Sequence, residues 1–250
     1  DIYMSTLDGI VWSKPKRLNP PVNSPFWETH ISITSSRNTV YFASDRPGGY
    51  GGRDLYSARR LSSGEWGMVK NLGPTINTPF DEDAPFIHPD ERHLYFCSNG
   101  HNSMGGFDIF YSALVLGDWS QPLNLGYPLN TPDDDVFFTV SANGKNGYLA
   151  TTREEGYGEK DIYVAKMIDT GEVALTVVRG IIRGDGSQPI SAKFLVSDKK
   201  THELIGIYNA NSATGKYLLV FPPGKEYNLV ISAEGYVPHS SEIIIPEQDR

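Results

Sequence analysis

The chain has one cysteine among its 250 residues, Cys97, which excludes an intramolecular disulfide and any cysteine-based zinc cluster. It has no run near the roughly 18 to 20 apolar residues of a membrane-spanning helix. Its first residues, Asp1-Ile2-Tyr3, show no basic and apolar leader, so any export signal is expected upstream or absent, and direct membrane insertion is not expected. Positive charge is short. With 22 Lys and Arg against 30 Asp and Glu, the net charge of −8 argues against nucleic acid or an anionic membrane surface as partner. Three Asn-Ser/Thr-Pro steps, at Asn23, Asn77 and Asn130, make no glycosylation acceptor, and no Asn-x-Ser/Thr occurs. The Gly-rich loops at Pro47 to Gly52 and Met104 to Gly106 lack Gly-Lys-Ser/Thr and precede no helix pattern, so they are turns rather than phosphate cradles.

What the chain does have is core material and turns. Apolar residues make up 39 %, and 14 Tyr, 11 Phe and 4 Trp supply large side chains. The 25 Gly and 17 Pro fall between short β-rich stretches, a pattern that leaves little room for long helices and predicts an all-β protein.

A block recurs three times. Trp12, Trp66 and Trp119 lie 54 and 53 residues apart, and the same steps separate Asn23, Asn77 and Asn130. Tyr41-Phe42, Tyr95-Phe96 and Tyr148-Leu149 keep the register. So do Asp54-Leu55-Tyr56, Asp108-Ile109-Phe110 and Asp161-Ile162-Tyr163, with Asp1-Ile2-Tyr3 one period before them. Each unit reads as four short strands. The first follows Asn-Ser/Thr-Pro (His30 to Thr34, Ala84 to His88, Val136 to Val140), a polar turn leads to a second carrying Tyr-Phe, a Gly-rich loop leads to the third at Asp-Ile/Leu-Tyr, and the fourth starts near the Trp.

A four-stranded antiparallel sheet repeated at this length predicts a propeller blade, and the order Pro-x-Asp/Glu, Leu-Tyr-Phe-x-Ser, Gly-Gly, Asp-Ile-Tyr resembles the WD-like repeats of TolB-type β-propellers. Three blades do not close a ring. The expectation is a fragment of a longer chain with further blades upstream, or else two chains closing a six-bladed ring.

From about Glu172 the period vanishes. Residues 1–171 carry 14 basic and 21 acidic side chains, whereas 172–250 carry 8 and 9, so a domain boundary is placed there. The second stretch alternates as strands over Ala174 to Ile182, Ala192 to Ser197, Leu204 to Asn209, Tyr217 to Phe221, Tyr227 to Ala233 and Ser241 to Ile245, which suits a small β-sandwich. Val178-x-Gly180, Pro189-Ile190-x-Ala192, Thr214-Gly215-Lys216-Tyr217, Pro223-Gly224-x-x-Tyr227 and Glu234-Gly235-Tyr236 resemble the transthyretin-like regulatory domain named after carboxypeptidases, an accessory sandwich without a peptidase site. Propeller followed by sandwich is similar to the middle of the OmpA-family envelope proteins of Bacteroidetes-type bacteria, which include a type IX secretion component. That resemblance implies a periplasmic, outer-membrane-associated scaffold whose partners are other envelope or secretion proteins. It implies peptidoglycan contact only through an OmpA-like domain that this chain does not carry.

Chemistry is sparse. The carboxylate clusters Asp81-Glu82-Asp83 and Asp133-Asp134-Asp135, with Glu28 in the matching place, would converge at one end of a ring and are weak candidates for Ca²⁺ or a basic peptide. Turn capping by Asp after Pro accounts for them more simply. Asp54, Asp108 and Asp161 recur in every unit, which points to a structural bond. Ser5-x-x-Asp8-Gly9-x-x-Trp12 only faintly matches the Asp-box of sialidases, and nothing nonrepeating nominates a glycosidase carboxylate pair. The six histidines fall in no metal spacing, with His88 and His93 spanning a turn. Cys97 stands where the other units have Ala43 and Ala150, so a buried small residue is expected. Tyr50, Phe107 and Tyr157 on the Gly-rich loops are the candidate partner-binding aromatics. No catalytic residue, resident metal or cofactor is assigned. The reading is a noncatalytic protein–protein scaffold, the alternative a propeller that binds a soluble glycan or peptide, and a glycosidase comes third.

Overall fold

The computed structural model describes residues 1–167 and 175–246, and among these no helix occurs. The protein is all-β, built from several small antiparallel sheets. Four two-residue strands come first: β1 (Tyr3–Met4), β2 (Leu7–Asp8), β3 (Val11–Trp12) and β4 (Lys16–Arg17), with β1 paired to β4 and β2 to β3. Three larger sheets follow at the expected period. The first runs β5 (Glu28–Ile33), β6 (Thr39–Ser44), β7 (Asp54–Arg60), β8 (Trp66–Asn71) in chain order. The second has β9 (Glu82–Ile87), β10 (His93–Ser98) and β11 (Asp108–Val115), and its fourth strand is split into β12 (Asp118–Trp119) and β13 (Leu123–Asn124), both on β11. The third is β14 (Val136–Val140), β15 (Asn146–Thr151) and β16 (Asp161–Lys166).

The repeated sequence makes repeated local geometry. The turns after β5, β9 and β14 close with the same bond, from the N–H of Thr34, His88 and Ser141 to the carbonyl of Thr39, His93 and Asn146. Each turn has one left-handed residue in register: Arg37 at φ 60°, Glu91 at 61° and Gly144 at 74°, of which only Gly144 escapes the Cβ penalty. The first strand of each sheet also carries one bulge. Pairing slips between Glu28 and Ile31, between the partners of Tyr95 and Cys97, and between Val136 and Thr139. Two of the first strands therefore begin earlier than the sequence suggests, at Glu28 rather than His30 and at Glu82 rather than Ala84. The ladder resumes beyond the bulge, where Glu28 pairs with Ser44 and Glu82 with Ser98.

Alternation along these strands builds three apolar layers. Phe42 and Val40 face one way, with Ile2, Leu18, Val22, Tyr56 and Ala58. Tyr41, Ala43 and Leu55 face the other way and meet Ile87, Leu94, Phe96 and Phe110 of the second sheet. Tyr95, Cys97 and Ile109 on the far face of the second sheet meet Phe138, Val140 and Leu149 of the third. Burying one such Leu or Ile is worth about 1.5–3 kcal/mol.

By density of contacts the chain divides into two compact units. The first holds residues 1–2, 17–34 and 39–167, and the second holds 3–16, 35–38 and 175–246. The sequence-based boundary at 171/172 lies outside the described residues. The later strands of the second unit are β17 (Thr176–Ile181), β18 (Lys193–Asp198), β19 (Leu204–Asn209), β20 (Lys216–Phe221), β21 (Lys225–Ser232) and β22 (His239–Ile245). They form a sheet in the order β19-β18-β21-β22 and a pair β17-β20. Side chains from both, among them Phe194, Val196, Leu219, Phe221, Tyr227 and Leu229, share one core. Gly215, at φ 64°, turns the chain into β20, where a Cβ would lie 2.2 Å from the Ile182 carbonyl oxygen.

Candidate functional site at the repeated strand bulge

Most polar groups of the repeat are spent on the fold. Asn77 is buried, and its Oδ1 accepts the N–H of Leu55 at 2.8 Å while its Nδ2 donates to the Leu55 carbonyl at 3.1 Å. Asn130 does the same to Ile109 at 2.8 and 2.9 Å, and Asn23 to Ile2 at 2.7 and 2.8 Å. A side-chain amide thus completes the backbone pairing of the residue after Asp1, Asp54 and Asp108. The Asp itself ties down the Gly-rich loop: Asp54 accepts the N–H groups of Tyr50 and Gly51, Asp108 that of Met104, and Asp161 that of Tyr157.

Glu28, Glu82 and Asp135 are likewise equivalent and buried. Each accepts from the Ser or Thr four residues before it, Ser24, Thr78 or Thr131. Glu28 pairs with Arg46 at 3.1 Å and Asp135 with Arg153 at 3.4 Å. The middle unit has Gly100 at the arginine position. His101 takes over part of the role, its Nε2 2.9 Å from the Ile76 carbonyl and its ring against Phe96 and Phe110, where Arg46 lies over Phe42 and Tyr56. Among the described residues no cation pairs with Glu82, and burial raises its carboxyl above the usual range despite hydrogen bonds from Thr78 and Ser98. Burial lowers the His101 imidazole.

Of the clustered carboxylates, Asp81 and Asp134 are register equivalents that accept the N–H of Arg53 at 2.8 Å and of Phe107 at 3.0 Å. Their side chains pair with Arg53 and Lys160, at 3.2 and 3.4 Å. Backbone hydrogen bonding from Phe107 holds the Asp134 carboxyl below its usual value, with help from Lys160. Asp133 is exposed. The carboxylates of 81–83 and 133–135 therefore serve separate turns.

The exception is Asp83, which has Thr29 and Val136 as counterparts and belongs to a set that does not repeat. Its Oδ1 accepts from Thr29 Oγ1 at 2.7 Å and lies 2.8 Å from His30 Nδ1, while Arg53 pairs with its other oxygen. Burial works against the charged form, but the bonds from His30, Thr29 and the Ala84 N–H outweigh it and hold the carboxyl below its usual value. The bulge brings these groups together. Its three equivalent positions are His30, Ala84 at φ 47° and Phe137 at φ 58°, and the His30 and Phe137 rings meet edge-on at 4.9 Å. Arg53 also lies over the Phe107 ring at 5.5 Å. Chemically this is a half-exposed imidazole fixed by a carboxylate, beside a guanidinium and two phenyl rings. It offers hydrogen bonds and stacking, with the Thr29 hydroxyl donated to the same carboxylate.

Of the aromatic candidates, Tyr50 and Tyr157 are exposed equivalents, but the residue in register with them is Met104, not Phe107. Phe107 is half-buried against the layer between the second and third sheets, because Asp134 and Asp135 bond its N–H and carbonyl on either side. Cys97 is fully buried, and burial pushes its thiol up to about 12. The histidines give one grouping that sequence spacing did not suggest: His88, Asp90 and His93 place one ligand atom each within 4.8 Å of one another. The signal for it was present as two histidines five residues apart across a two-strand turn. No protein-family model and no curated protein matches the chain.

Proposed function

We propose that the chain is a noncatalytic protein–protein interaction scaffold of the bacterial periplasm and outer membrane, part of a type IX secretion or related envelope assembly. In this reading the three repeated sheets are blades of a β-propeller and the second unit is a small transthyretin-like sandwich. The repeat order, the sequence resemblance and the antiparallel sheets support it. The observation that carries the scaffold reading is an uncovered sheet face. Leu55 and Ile109 are 0 % exposed because the next sheet covers them, whereas their counterpart Ile162 is 82 % exposed, with Val164 and Tyr148 exposed beside it. Ile162 and Tyr148, whose counterparts the repeat buries twice, form with Val164 an apolar face that takes a further blade or another protein, and the scaffold reading assigns it to another protein.

Hydrolytic function finds less support, because the repeated carboxylates are held in backbone and side-chain bonds. Photo-crosslinking from position 162 in the native host tests the proposal. A crosslink to an envelope or secretion protein is the expected result, and no crosslink together with turnover in a broad glycoside and peptide hydrolysis screen contradicts it. The second reading, a soluble glycan or peptide ligand, is favoured by the His30–Asp83–Arg53 set with its flanking Phe137 and Phe107. A thermal shift with a glycan or peptide that disappears in His30→Ala is its signature.

A further inference from the structure

The turn from β9 to β10 holds a second set of groups that the repeat does not require. His88 follows β9, Asp90 lies in the turn and His93 opens β10; their counterparts are Thr34, Ser36 and Thr39 in the first unit and Ser141, Asn143 and Asn146 in the third. The middle residue closes each turn in the same way. Ser36 Oγ, Asp90 Oδ1 and Asn143 Oδ1 each accept the N–H two residues on, from Asn38 at 3.4 Å, Arg92 at 2.9 Å and Lys145 at 3.1 Å. The first residue also accepts a backbone N–H, Thr34 Oγ1 from Thr39 at 3.1 Å, Ser141 Oγ from Asn146 at 2.9 Å and His88 Nδ1 from Asp90 at 3.3 Å, and the His93 imidazole is additional.

Their geometry suits a ligand set. His88 is buried, and its Nε2 lies 3.3 Å from the Ser141 carbonyl, a contact that is a hydrogen bond only if Nε2 carries the proton. That tautomer leaves a lone pair on Nδ1, which accepts the Asp90 N–H at 3.3 Å and lies 3.3 Å from Asp90 Oδ1, so a cation at Nδ1 replaces that long N–H contact. An imidazole whose other N–H is held by a backbone carbonyl is the usual outer-shell arrangement of a metal-bound histidine. His93 Nδ1 contacts Asp90 Oδ2, and the His93 ring is stacked on Tyr111 at 5.5 Å, which sets its plane. Asp90 is further held by the His93 N–H at 3.2 Å. The His93 side chain is 27 % exposed, which leaves an approach from solvent on that side.

We propose that His88 Nδ1, the Asp90 carboxylate and His93 Nδ1 form a binding site for a divalent transition cation of the zinc class, with water completing the coordination. Two nitrogens and one carboxylate oxygen match zinc, which takes nitrogen ligands at about 2.0–2.1 Å and carboxylate oxygen at about 2.0–2.2 Å. Calcium, which takes 6–8 oxygen ligands, does not suit the set. Ion entry moves Asp90 and His93 apart, exchanging their mutual bond for two bonds to the cation and pinning the turn.

The test is calorimetric titration of the EDTA-treated full chain with Zn²⁺, repeated with Ca²⁺, alongside Co²⁺ absorption in the visible. One Zn²⁺ equivalent, a Co²⁺ ligand-field band and no Ca²⁺ heat are expected. His93→Gln, at a partly exposed side chain at the edge of the core, weakens Zn²⁺ at least about tenfold with the far-UV spectrum unchanged, and Asp90→Asn, which keeps the Oδ1 acceptor of the turn, does the same. The pair His202→Gln and His239→Gln leaves the affinity as it was. Absence of Zn²⁺ binding, or binding that survives His93→Gln, overturns the proposal and leaves the set as a hydrogen-bonded His–Asp–His turn.

Discussion

Asn77 and Asn130 each hold both backbone groups of a buried residue in the next strand pairing, a burden greater than a surface amide carries. Asn77→Ala orphans the N–H of Leu55, whose carbonyl keeps the Leu72 N–H at 3.0 Å, and at about 1–3 kcal/mol per buried unsatisfied group the loss is about 1–3 kcal/mol by urea denaturation. Asp83 and Asp90 are both held below the usual carboxylate range, by hydrogen bonds that outweigh their burial. A depressed folded-state value contributes stability above the unfolded value of about 3.9 and loses it as pH falls through the folded value. Urea midpoints of the metal-free protein therefore fall from pH 5 toward pH 2, and Asp90→Asn makes that fall shallower. Glu82 acts in the opposite sense, since its raised value makes ionisation costly in the folded state and protonation favourable. Cys97, buried with its thiol pushed up to about 12, stays unmodified by a thiol reagent in the native protein and reacts once urea unfolds it.

At the scale of the element, the sheets differ in what covers them. Ile109 lies between two sheets, so Ile109→Ala costs about 2–5 kcal/mol, whereas Ile162→Ala changes the denaturation midpoint little because Ile162 is exposed. A large loss at Ile162 in the isolated chain would mean that its face is covered. Strand order and alternation were legible in the sequence because Trp, Asn-Ser/Thr-Pro and Asp-Ile/Leu-Tyr recur in register, and β14 and β19 fall where the pattern puts them. The bulge was not legible. Its three positions are His30, Ala84 and Phe137, which share no residue type, and a backbone slip leaves no signature when the side chains differ. For that reason the meeting of His30, Asp83 and Phe137 is not readable from spacing, and Phe107, which the sequence places at a loop tip, is drawn inward by Asp134 and Asp135. Capping explained the acidic clusters correctly for Asp81, Glu82, Asp134 and Asp135, which bond the backbone of their own turns or of the preceding loop.

For the whole molecule, the repeated polar groups build, and the nonrepeating ones and the bare sheet face are what remain for recognition. On the scaffold account, a net charge of −8 and the apolar face of Ile162, Val164 and Tyr148 suit a protein partner rather than a polyanion. The most direct test of the scaffold account places a photoreactive residue at position 162 and, as control, at the exposed position 65 in the turn before β8, in the full-length native protein. The account predicts that position 162 crosslinks to one discrete envelope or secretion protein, and that Tyr148→Glu with Val164→Glu, on the same face, abolishes the capture without lowering the denaturation midpoint. Equal labelling from both positions, or capture that survives the double substitution, would contradict it.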